Sequence, residues 1–108
     1  MSDELKPAEI SPELAARIAL LRAEYRAVLP DRFAELLAAV VLARTTPSAI
    51  GGALAIAHRL AGTAGSYGFH ELGDACAAVE DALARAQTNA DWGPVDAALA
   101  SAAATLAT

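Results

Sequence analysis

Leu14, Ile18, Leu21, Tyr25 and Val28 recur at spacings of 4, 3, 4 and 3, the signature of one apolar face on a helix. Leu29, Phe33, Leu36 and Val40 carry the stripe onward. Two later segments repeat the pattern: Leu72, Cys76, Val79 and Leu83 stand at offsets of 4, 7 and 11, and so do Val95, Leu99, Ala102 and Leu106. The Val, Ile, Thr and aromatic runs that would signal strands are missing. Much of the 56% hydrophobic content is instead alanine, which favours helix and lets helices pack closely. The chain is predicted to be all-α, an antiparallel up-and-down four-helix bundle whose matched stripes share one core. A length of 108 residues suits one such core and leaves no room for a second.

The punctuation between stripes sets the element boundaries. Residues 1–10 are polar and interrupted by Pro7, and read as a tail or short packing segment ahead of a single domain over 11–108. Ser11-Pro12-Glu13 is a helix start, with serine as cap, proline in the first helical position and a carboxylate in the first turn. Pro30 cannot donate to the preceding turn and predicts a kink in this first long helix, which continues to near Arg44. Thr46 is the expected cap of the next helix and Pro47 its first residue, with a stop at Gly68. A further helix is expected from near Glu71 to near Gln87, with Asn89 in the following turn. Asp91-Trp92-Gly93-Pro94 then opens the last one.

Charge and cysteine usage narrow the functional classes. A net charge of −5 argues against nucleic acid, which requires clustered Lys and Arg. The longest strongly apolar stretch, Leu36 to Ala43, falls well short of the roughly 20 residues that span a bilayer. The amino terminus has no basic region followed by an apolar core, so no secretory signal is read there. Cys76 is the only cysteine and stands on an apolar stripe; core packing in a reducing, cytoplasmic compartment is the expectation. A metal site built from His70, Asp74, Cys76 and Glu80 fails on geometry, because His70 and Asp74 share one side of a helix while Cys76 and Glu80 lie toward the other. No metal is expected, and His70 reads as a loop or helix-start residue.

His58 is different, because its helical neighbours are nearly all small. At roughly 100° per residue, Gly51, Leu54, Ala55, Gly62 and Gly65 fall on its side, whereas Ile56, Leu60, Thr63 and Tyr67 fall opposite. Glycine inside a helix costs roughly 1 kcal/mol relative to alanine, so a bare surface around an imidazole calls for a reason, and access by another macromolecule supplies one. Between Thr45 and Phe69 the only fixed charge is Arg59, so an anion carried on His58 would meet no carboxylate from its own helix. Arg59, about 100° away, could reach such a group only by curling back. Ser66, roughly 12 Å further along the helix, is too distant to hold one.

Ala57-His58, Leu60, Gly62 and, after five intervening residues, Gly68-Phe69 resemble the signature of the histidine-containing phosphotransfer (HPt) family, approximately Ala-His-x-Leu-Lys-Gly followed by a later Gly. Leu72, Cys76, Val79 and Glu80 continue the likeness, and the segment from Leu21 through Phe33 resembles the helix that pairs with the histidine helix in such domains. The resemblance implies that His58 accepts a phosphoryl group from one receiver-domain aspartate and passes it to another. The expected partners are receiver domains of a hybrid histidine kinase and of response regulators, and the magnesium ion is expected on the receiver. Gly62 and Gly65 would leave room for docking, with Leu54 and Ala55 as apolar contacts and Arg59 and Ala61 at the interface. No nucleotide loop or magnesium cluster is evident, so the chain is expected to be a carrier rather than an enzyme, without a cofactor of its own. A monomer is expected. Ala61 departs from the family pattern, which has lysine there, and keeps a second reading open: a helical adaptor with the same fold that binds signalling partners and never carries phosphate.

Overall fold

The computed structural model describes residues 10–108 and contains four α-helices and no strand among them: α1 (Pro12–Thr45), α2 (Ile50–Ser66), α3 (His70–Asn89) and α4 (Gly93–Ala107). The sequence-predicted tail lies outside the described residues, apart from Ile10. α1 starts as its sequence demands, with the Ser11 hydroxyl accepting from the Leu14 N–H at 3.1 Å and Pro12 in the first turn. It is continuous across Pro30, whose ring lies on the exposed side.

Paired contacts fix the helix directions. On α2 and α3, Gly65 meets Gly73 and His58 meets Glu80, so residue numbers rise on one helix as they fall on the other. On α1 and α4, the Arg26 guanidinium donates to the Leu106 carbonyl at 2.7 Å, while Arg44 at the far end of α1 pairs with Asp96 near the start of α4. Both pairs of helices are antiparallel. The Arg26 contact also places a cation on the orphan carbonyls at the α4 C-terminus, where the helix dipole favours positive charge.

Leu36, Val40, Val79, Leu83 and Val95 are fully buried at the centre of the core, with Ala53, Ala57 and Ala64 forming the inward edge of α2. Alanine there lets α2 lie close to its neighbours. Cys76 is buried in the same core, as its stripe predicts, and burial pushes its thiol up to about 11.

Two local expectations are corrected, and the turn role expected of Asn89 is met by its side chain. The stripe Leu14, Ile18 and Leu21 is exposed, as is Val28, and Tyr25 is only half-buried. The buried part of α1 begins at Leu29. The reason is length: at about 1.5 Å per residue the 34 residues of α1 extend about 51 Å, whereas α2, α3 and α4 have 17, 20 and 15 residues. Among the described residues, the first 13 of α1 have no helix beside them to bury against. Thr46 makes no side-chain cap bond, because Pro47–Ala49 form a 3-10 turn and α2 begins after it at Ile50. After α3 the left-handed residue is Ala90 (φ 54°); Asn89 serves the turn through its side chain, which accepts from the Asp91 N–H at 2.9 Å.

Candidate functional site around His58

The α2 terminus sets the geometry of the site. Gly68, at φ +86°, donates to the Gly65 carbonyl at 3.0 Å, and Phe69 donates to the Ala64 carbonyl at 2.9 Å, the paired bonds of a Schellman cap. The left-handed conformation is the reason for glycine at 68. It turns the chain so that α3 starts at once and runs back along α2. Phe69 then packs toward Tyr25 with centroids 6.0 Å apart, the Arg22 guanidinium lies 4.5 Å over its ring, and Tyr25 stacks on Tyr67 at 4.5 Å. The aromatic cluster pins the end of α2 to α1.

Gly73 sets how closely α3 approaches. A Cβ at this buried position would lie 3.0 Å from the Ala61 carbonyl oxygen and 3.3 Å from the Gly65 nitrogen, both backbone atoms that cannot swing aside. A methyl there would be tight against backbone, and the close approach that glycine permits brings α3 side chains up to His58.

The His58 side chain is 78% exposed. Its Nδ1 lies 3.0 Å from Oε2 and 3.2 Å from Oε1 of Glu80, a residue of α3. A carboxylate only accepts, so the hydrogen in this contact belongs to Nδ1. The neutral imidazole is then the tautomer whose Nε2 keeps its lone pair, and that nitrogen has no partner among the described residues. The acceptor was not legible from α2. As expected, no carboxylate reaches His58 from its own helix; the facing helix supplies Glu80 at the ring and Asp74 in the same depression.

That depression, about 360 Å³, runs between α2 and α3. It brings Ala61, Gly62 and Gly65 together with His58, and adds His70, Gly73 and Glu80 from the facing helix. A Cβ added at Gly62 or Gly65 would meet nothing within 4 Å, so neither glycine is required by packing. The space over them is open. Leu54 is half-buried against the core and Ala55 is exposed, one turn before His58. Arg59 is exposed but lines a different groove, between α1 and α2, with Tyr25, Arg32 and Glu35. His70 is the first residue of α3. Cys76 is buried, away from solvent, and Glu80 is committed to His58. No three His, Cys, Asp or Glu side chains among the described residues are placed to hold a metal ion. No helix among them is long and apolar enough to cross a membrane.

The arrangement can present a nucleophilic nitrogen to a large partner. The imidazole is held by Glu80, exposed to solvent and bordered on its own helix by glycine and alanine, with His70 and Asp74 in the same depression on the facing helix. A family model described as Hpt domain matches residues 11–108. No curated protein and no solved structure gives a match to the chain. Hpt domains act in two-component phosphorelays, where they interact with receiver domains of kinases and response regulators. A match over nearly its whole length places this chain in the Hpt domain family, whose members are phosphotransfer carriers rather than enzymes in the usual sense.

Proposed function

We propose that His58 is the phosphoryl-accepting residue, taking the group from a receiver-domain aspartate and delivering it to another. The observation that supports this most is the contact between Nδ1 and Glu80, which leaves Nε2 free on an exposed and unobstructed face. The lone pair of Nε2 attacks the phosphorus of an aspartyl phosphate in line with the bond to the carboxylate oxygen. A P–N bond forms, the P–O bond breaks, and the aspartate leaves as a carboxylate. The imidazole acquires positive charge while keeping its Nδ1 proton, and Glu80 stabilises that charge directly. Transfer onward reverses each event with a second aspartate. Positioning and electrostatic stabilisation dominate phosphoryl transfer, and the receiver brings the magnesium ion that neutralises the phosphoryl oxygens.

Ala61 borders the depression where the family pattern places lysine, so this chain contributes no cation at that point. The charge is left to the receiver, and an exchange step slower than that of a lysine-bearing domain is expected. The same feature supports the second reading, an adaptor that binds receivers without carrying phosphate. Incubation with a phosphorylated receiver separates the two. Phosphotransfer gives an acid-labile, base-stable label on the wild type and none on His58→Gln. Equal receiver binding by both proteins with no label on either would establish the adaptor instead.

A further inference from the structure

We infer that the projecting N-terminal segment of α1, residues 12–24, pairs with the same segment of a second copy of this chain, in antiparallel orientation. Residues 12–24 are all exposed, including Leu14, Ile18 (49%), Leu20 (59%) and Leu21. Leu14, Ile18 and Leu21 are not scattered. They continue, through Tyr25, the stripe that Leu29, Phe33, Leu36, Val40 and Ala43 bury in the core, so the inward face of α1 runs past the end of the bundle without a cover among the described residues. The spacing of 4 and 3 is that of a coiled-coil seam, with Leu14 and Leu21 at d positions and Ile18 at a.

The flanking charges choose the orientation. In a parallel pair, Arg17 at position g would face Arg22 at position e of the second copy, and this repulsion would occur twice. In an antiparallel pair, Ile18 layers against Leu21 of the second copy and Leu21 against its Ile18, short of Tyr25, which stays stacked on Tyr67 of its own chain. That register sets Arg17 beside Glu24 of the second copy, again twice by symmetry, and sets Arg22 beside an alanine, Ala15. The surface is thus self-complementary about a two-fold axis between residues 18 and 21, as an isologous dimer requires. His58 and Glu80 lie on α2 and α3, outside this segment, so both sites remain open to receivers in the dimer.

Sedimentation equilibrium of the full chain over roughly 5 to 500 µM tests the pairing. The wild type should pass from monomer to dimer over this range. Ile18→Glu should remain monomeric, with unchanged helical circular dichroism because the position is exposed. Arg17→Glu should weaken association about tenfold by setting like charges together, and adding Glu24→Arg should restore it. Four results would overturn the inference: a wild type that stays monomeric throughout, a dimer that survives Ile18→Glu, a charge reversal without effect, or a double reversal that fails to recover. A monomer whose melting temperature falls on Ile18→Glu would mean that the chain's own N-terminal residues cover the stripe.

Discussion

Replacing Gly62 by alanine should make the protein more stable and a poorer phosphotransfer partner. Gly62 lies inside α2 one turn after His58, and a Cβ built there meets no atom within 4 Å. The new methyl therefore costs nothing in packing. It removes the conformational freedom that glycine gives the unfolded chain, a gain of about 0.8 to 1 kcal/mol at a helix interior position. For a domain of this size 1 kcal/mol moves the melting temperature by about 4–8 °C, which thermal circular dichroism resolves easily. The same methyl stands on the face where a receiver must approach, since residues four apart on a helix are about 5–6 Å apart at their Cβ atoms. Single-turnover transfer from a phosphorylated receiver should accordingly slow on going from Gly to Ala, and slow further through Val to Phe. Stability and transfer should thus move in opposite directions for the alanine variant. A transfer rate that stays flat along the series would refute the docking role of this face, and a destabilised Gly62→Ala would refute the packing argument.

The opposite sign is expected at Gly73: Gly73→Ala gains the same helical propensity but drives a methyl into the backbone of Ala61 and Gly65, and overpacking of about 1–3 kcal/mol should lower the melting temperature. Glu80→Ala should leave global stability within about 1 kcal/mol, because the pair is exposed on the His58 side, yet slow transfer about tenfold by freeing the ring and removing the stabilising charge; Glu80→Gln, which keeps an acceptor oxygen, should fall between. Equal transfer rates for all three proteins in a single-turnover assay would remove Glu80 from the mechanism. Ala61→Lys should preserve or raise the transfer rate in the same assay, and a large loss would mark this position as a tight interface contact. Cys76 sets an alkaline limit. Its thiol is held at about 11 in the fold against 9.0 in the unfolded chain, so the unfolded state loses its proton first. Stability is then intact below pH 9 and declines as pH rises toward 11, by on the order of 2 kcal/mol, with Tyr25, raised mainly by burial, acting in the same direction. Urea titrations at pH 8 and pH 10.5 should show a smaller loss in Cys76→Ala, and an identical loss would exclude the thiol as its source.

Local pattern in the sequence carried the helical class, the Ser11 start, the Gly68 stop and the inward set Leu72, Cys76, Val79 and Leu83, because caps and helical period are properties of residues a few positions apart. It also carried the bare surface around His58, since which side chains share a helix face follows from 3.6 residues per turn. Tertiary structure alone decided three things. A period of 3.6 is the same whether or not a neighbour is present, so only the unequal helix lengths revealed that Leu14, Ile18 and Leu21 lie beyond the bundle. Gly73 reads as an ordinary helix glycine until α2 is seen 3.0 Å from where its Cβ would be. The Glu80 carboxylate, 22 residues from His58 in sequence, reaches Nδ1 only because the antiparallel register of α2 and α3 sets the two side by side. Which residues lie opposite each other across two helices depends on the turn between them and on how closely they pack, and no periodicity within either helix encodes that distance.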